Sequence, residues 1–148
     1  MEWRSDYATG SQPIDDQHRE LFRREQGLLE AARVGAGGHA LTALQSLREH
    51  LRRHFAAEQA AMLAAGYPFG DAHAQEHARF LLEILRLEHE GTARPASAWL
   101  STKIALALSS WLREHMLGVD RDLCAFLRAR REQGPETGRA QRWWSAPL

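Results

Sequence analysis

The chain has 148 residues, 44% hydrophobic and 26% charged, which is enough for one buried core of ordinary size. Its 19 Lys and Arg balance its 19 Asp and Glu, so nothing suggests bulk attraction to nucleic acid or to an anionic membrane. A lone cysteine, Cys124, excludes an intramolecular disulfide framework, and no run approaches the ~20 apolar residues of a membrane-spanning helix.

The opening Met1-Glu2-Trp3-Arg4-Ser5-Asp6 lacks the apolar run of a signal peptide, so a cytoplasmic location is the expectation. Four amphipathic segments follow. The first begins after Gly10-Ser11-Gln12-Pro13, with Asp15 or Asp16 placed to cap it. It runs to about Val34 with Leu21, Phe22, Leu28, Leu29 and Ala32 at helical spacing. Gly35-Ala36-Gly37-Gly38 ends it.

The second runs from about His39 to Ala65 with Leu41, Leu44, Leu47, Leu51, Phe55 and Met62 on one side, and Gly66-Tyr67-Pro68 stops it. The third starts near Asp71, carries Ala74, Ala78, Leu81, Leu82 and Leu85, and reaches about His89 before a break at 91–95. Ser97 can cap the fourth, which extends to about Arg131. No strand-like alternation occurs. An all-α, up-down-up-down antiparallel four-helix bundle over 1–131 is expected, followed by a tail over 132–148 containing Trp143-Trp144.

Each helix then offers metal-capable groups where a core wants apolar ones. These are His18 on the first, His54 and Glu58 on the second, His73 and His77 on the third, and His115 and Asp120 on the fourth. Spacing of four puts two side chains on one helical face, so each such pair can address one interior point. The five-residue pair His115 and Asp120 is different: an ideal helix turns it by about 140°. Either metals sit between the two or the helix widens locally, with Gly118 easing a π-type distortion at 115–120. Five imidazoles and two carboxylates suit iron, manganese, cobalt or zinc, and they are too many for one tetrahedral zinc. Two metals bridged by the carboxylates would leave a coordination position spare.

The pattern Ile14-Asp15-Asp16-Gln17-His18, His54-Phe55-x-x-Glu58, Gly66-Tyr67-Pro68, His73-x3-His77 and Trp111-Leu112-x-x-His115-x4-Asp120 resembles the hemerythrin family over about residues 3–128. The resemblance implies a hemerythrin-like bundle with the topology of myohemerythrin. It implies two iron ions: His73, His77 and His115 would hold one, His18 and His54 the other. Glu58, Asp120 and a solvent-derived oxo or hydroxo group would bridge them. Dioxygen, the implied partner, would bind reversibly at the iron with the open place, in a dry pocket of Leu21, Phe55, Trp111, Leu112 and Met116. Storage, delivery or sensing of oxygen is the function implied. A di-iron peroxidase, oxidase or nitric-oxide-handling enzyme is the alternative.

Other residues invite plainer readings. His39 and His89 sit at helix ends, His50 lies one turn before His54, and Cys124 reads as a small buried apolar group. Glu25 breaks the pattern. It lies two turns after His18 on the same inward face. Either it turns to the bundle edge to pair with an arginine, or it reaches the open iron or its pocket as a modulator and proton donor.

Overall fold

A computed structural model describes residues 3–33, 40–93 and 98–132. After a 3-10 turn at Ser5–Tyr7 come α1 (Gln12–Arg33), α2 (Ala40–Ala65), α3 (Gly70–Ala93) and α4 (Ala98–His115). A π turn over Met116–Asp120 joins α4 to α5 (Arg121–Glu132), so these three form one continuous fourth rod. The expected Gly35–Gly38 break, His39, Ser97 and the Trp143-Trp144 tail lie outside the described residues.

The helix ends follow from local chemistry. Pro13 stands in the first turn of α1, where its missing N–H has no partner to lose. The Asp15 carboxylate reaches back to accept from the Thr9 backbone N–H at 2.7 Å and the Thr9 hydroxyl at 2.8 Å. Asp16 stays outside, taking the Gln12 amide at 2.8 Å. At the far end of α2, Gly66 has φ +64°, a left-handed conformation that glycine enters without steric cost. Its N–H bonds back to Leu63 O and that of Tyr67 to Met62 O, the paired closure that terminates many helices.

Cross-helix pairs fix the topology. Gln17 meets His54 while Arg24 meets Ser46, so α1 and α2 run antiparallel. Glu76 meets His115 and Glu90 meets Lys103, which sets α3 against α4. His18 meets Asp120 and Glu25 meets Ser109, which closes α4 and the π turn onto α1. The bundle is therefore up-down-up-down, as expected.

Two apolar clusters fill it. The larger runs from Leu28, Leu44, Leu87 and Ala105 down to Leu21, Phe55, Leu112 and Met116. The smaller, Ala61, Met62, Leu123 and Leu127, closes the opposite end. The polar residues lie between them.

Helix α3 corrects part of the sequence reading. Ala78, Leu82 and Leu85 face solvent, Leu82 at 66% exposure. His73 and His77 take the inward positions, and at helical spacing their face continues through Phe80, Ile84 and Leu87, all buried. The helix also runs past His89 and Gly91 to Ala93. A single glycine costs about 1 kcal/mol against alanine and does not by itself end a helix. Among the described residues, no helix is long and apolar enough to cross a membrane.

Candidate metal centre

All seven candidate donors converge, and all are buried at 4% exposure or less. They fall into two overlapping groups, each within 4.8 Å. His73, His77 and His115 share one with Glu58 and Asp120; His18 and His54 share the other with the same two carboxylates. Asp120 spans the two: Oδ1 lies 3.2 Å from His73 Nε2 and 3.1 Å from His115 Nε2, while Oδ2 lies 3.1 Å from His18 Nε2. Glu58 Oε2 lies 3.2 Å from His77 Nε2 and 3.7 Å from His54 Nε2.

The π turn makes this possible. A π-helix closes i to i+5, so residues five apart return to one face. His115 immediately precedes the turn and Asp120 ends it, and the irregularity falls where the spacing required one. No close approach requires glycine at 118, where a built Cβ meets nothing within 4 Å.

The donors fit a cation better than they fit each other. His115 Nε2 lies 3.0 Å from His73 Nε2 and 2.8 Å from His77 Nε2. Cis ligands on a metal with ~2.1 Å bonds stand about 3 Å apart, so the spacing is that of three imidazoles around one ion. Both nitrogens of His18, His54 Nε2 and all four oxygens of Glu58 and Asp120 are buried without a geometrically sound hydrogen bond. Leaving so many polar atoms unpaired in a core is costly, and coordination would satisfy most of them.

Two further residues aim the rings. Gln17 Oε1 accepts from His54 Nδ1 at 2.6 Å, and Glu76 Oε2 accepts from His115 Nδ1 at 3.2 Å. With the proton held on Nδ1, each Nε2 presents a lone pair to the interior. Sequence reading missed both roles. The available signal was position: Gln17 adjoins His18, and Glu76 adjoins His77. His50 belongs to neither donor group, and its Nε2 lies 3.4 Å from the Gln17 carbonyl oxygen.

Electrostatics keep the site ready for metal. Burial, then the neighbouring His18, holds His54 well below the usual histidine range. Burial, with His115 and His73 beside it, lowers His77 to about 2. Both are therefore neutral at physiological pH, the state a ligating imidazole needs. Burial also raises Glu58 well above the usual carboxylate range, helped by Asp120 alongside. Burial alone would raise Asp120 too, but the close approach of the His115, His18 and His73 rings holds it well below. Burial pushes the Cys124 thiol up to about 12, in keeping with an inert apolar role.

Aromatic rings wall the site. Phe55 stacks on His77 at 3.8 Å and 7°, and Trp111 stacks on His115 at 4.2 Å and 18°. Phe55 also touches His54, whereas Trp111 lies on the three-histidine side. Leu21, Leu112 and Met116 are fully buried, and Trp111 is half-buried. Trp3, which was not singled out in the sequence, lies 6.5 Å from the His18 ring. Glu25 is completely buried, so the bundle-edge reading is corrected: the Ser109 hydroxyl of α4 donates to it within the α1–α4 interface. It belongs to neither donor group.

The chain is similar in sequence to known proteins. The profile of the family described as the hemerythrin HHE cation binding domain matches residues 9–127. A bacteriohemerythrin of Pseudomonas aeruginosa is 29% identical over 118 residues, covering 80% of this chain and 75% of its own. One of Pseudomonas paraeruginosa is 31% identical over 119 residues with the same coverage. A hemerythrin-like protein of Naegleria gruberi is 25% identical over 118 residues, 80% of this chain and 86% of its own. With a profile match spanning most of the bundle and every donor in it, the chain belongs to the hemerythrin family.

Proposed function

We propose that this chain holds two iron ions, bridged by Glu58 and Asp120, and binds dioxygen reversibly at one of them. The observation that carries the reading is the unequal division of donors: five protein groups surround one position and four the other. Two iron ions would supply one electron each and a vacant coordination place on the four-donor side.

The chain's own residues do the rest. His73, His77 and His115 would fill one ion, while His18 and His54 would hold the second and leave it open. The carboxylates, each within reach of both sets of histidines, would hold both ions. Gln17 and Glu76 hold two of the rings in their ligating orientation. Leu21, Phe55, Leu112 and Met116 exclude water, which protects a reduced oxygen species from solvent protons. The relatives named bacteriohemerythrin support this reading.

Metal analysis joined to an absorption spectrum of the reduced protein before and after air tests it. Two irons per chain, with a visible charge-transfer band that appears in air and fades when oxygen is removed, is the expected result. One zinc and no band would overturn it.

A further inference from the structure

Apolar side chains exposed singly are ordinary on a protein surface, so what matters is where they gather. Leu63, 76% exposed, and Phe69, 66% exposed, flank the turn between α2 and α3. Phe69 there begins a row of rings. It meets Tyr67 edge-on at 5.8 Å, and Tyr67 meets Phe126 of α5 at 5.1 Å. The Arg130 guanidinium stands 5.7 Å from the Phe126 ring and donates to the Ala65 carbonyl, which covers the α5 end of the row. Among the described residues, Phe69 meets no ring but Tyr67. Beneath the row lies the small cluster of Ala61, Met62, Leu123 and Leu127, against which Tyr67 and Phe126 pack.

The chain itself carries a cover for this row. Helix α5 ends at Glu132 beside it, and sixteen residues, 133–148, follow outside the described ones. Their large apolar surface is concentrated in Trp143-Trp144, and tryptophan gains more than area alone by packing on other rings. Gly134-Pro135 directly after the helix is the composition of a helix stop, where a chain can reverse. Length suffices. The eleven residues from Glu132 to Trp143 span up to ~36 Å, against ~9 Å back along α5 to Phe126. Trp99, also exposed, lies thirty-three residues back along the same rod, ~50 Å away and beyond that span. Charge agrees as well. Arg139 and Arg142 precede the tryptophans, and Asp71 follows Phe69 by two residues. Burial, then the neighbouring Asp122, pushes the Tyr67 hydroxyl above its ordinary range, so a second exposed carboxylate stands by the row.

We propose that Trp143 and Trp144 dock on the Phe69 end of this row, within the same chain, and so brace α5 over the small cluster. The rings supply the contact, while the arginines, as exposed partners of Asp71 and Asp122, add little beyond direction. Chain ends stay loose unless they are tied down, and a tied tail keeps the last turns of α5 from fraying.

Trypsin digestion of the full chain, following cleavage after Arg139, tests it together with hydrogen exchange of the α5 amides. A protease must draw out several residues on either side of the bond, so it cuts the tail only when released. Cleavage then tracks the released population: a tail docked about nine-tenths of the time is cut about tenfold more slowly. The native chain should be cut about tenfold more slowly than Phe69→Ser, and than the double variant Trp143→Ala with Trp144→Ala, at any protein concentration. Phe69 is exposed and the tryptophans lie beyond α5, so neither variant empties the core. Amides of the last turn of α5 should exchange severalfold faster in both variants. Cleavage within twofold of native, or unchanged exchange, overturns the proposal. Protection that grows with concentration, with a dimer by sedimentation, also overturns it and gives the row to a second copy.

Discussion

Replacing Gln17 by leucine should weaken metal binding at the two-histidine position while leaving the three-histidine position nearly intact. The Gln17 side-chain carbonyl accepts the Nδ1 proton of His54 at 2.6 Å, and His54 is 1% exposed. Leucine fills a similar volume but accepts nothing. The stranded N–H then costs about 1–3 kcal/mol, and the ring is free to turn its lone pair away from Glu58. Loss of such a ring-orienting partner typically weakens metal affinity 10–100-fold, about 1.4–2.7 kcal/mol, which matches that cost. Competition against a chromophoric chelator, following the first and second equivalents separately, measures it. Gln17→Glu restores the acceptor and should bind at least as tightly as the native chain. Second-equivalent affinity in Gln17→Leu within twofold of native would refute the orienting role, since the Gln17 backbone contact to His50 is the same in all three proteins.

The remaining expectations concern the π turn, pH and the metal-free state. Gly118→Ala should leave metal loading unchanged and raise the unfolding free energy by up to about 1 kcal/mol, because a Cβ there meets open space and alanine favours helix; loss of loading would mean the glycine is required after all. His77 is lowered from 6.5 to about 2, so the unfolded chain takes up a proton that the fold refuses. Metal-free stability is therefore lost from this group as pH falls below 6.5, by about 2 kcal/mol near pH 5. Urea unfolding near pH 7.5 and pH 5 should show His77→Phe losing about 2 kcal/mol less than the native chain over that interval; equal losses would discount the burial of this ring. Finally, chelation should lower the thermal midpoint, since a cation at 1,000 times its dissociation constant stabilises the fold by about 4 kcal/mol. A midpoint insensitive to chelator would place the metal elsewhere than in the core.

Much of this site was legible because its residues obey helical spacing. Pairs four apart, such as His54 with Glu58 and His73 with His77, announce a shared face without any knowledge of tertiary structure. The awkward five-residue step from His115 to Asp120 even located the π turn. Partners across the bundle were another matter. Ser109 stands 84 residues from Glu25, and nothing local in either sequence neighbourhood points to the other. Gln17 and Glu76 adjoin donors in the sequence, but the ring each one aims lies on a different helix, which that adjacency does not reveal. The outward leucines of α3 misled because apolar content alone does not give direction. Once two histidines claim the inward positions, Leu82 and Leu85 have to face solvent.

The unequal apolar clusters on either side of the donors also bear on how quickly the centre fills. A hydrated cation cannot cross either cluster while the bundle is closed, so loading waits on a local opening. Among the described residues, four buried ones, Ala61, Met62, Leu123 and Leu127, hold one end, against fifteen in the larger cluster. Free energies of local opening scale with what must be exposed, so the short end around α5 is the cheaper door. Metal uptake should then follow the fraying rate of α5, with global unfolding a separate and slower event.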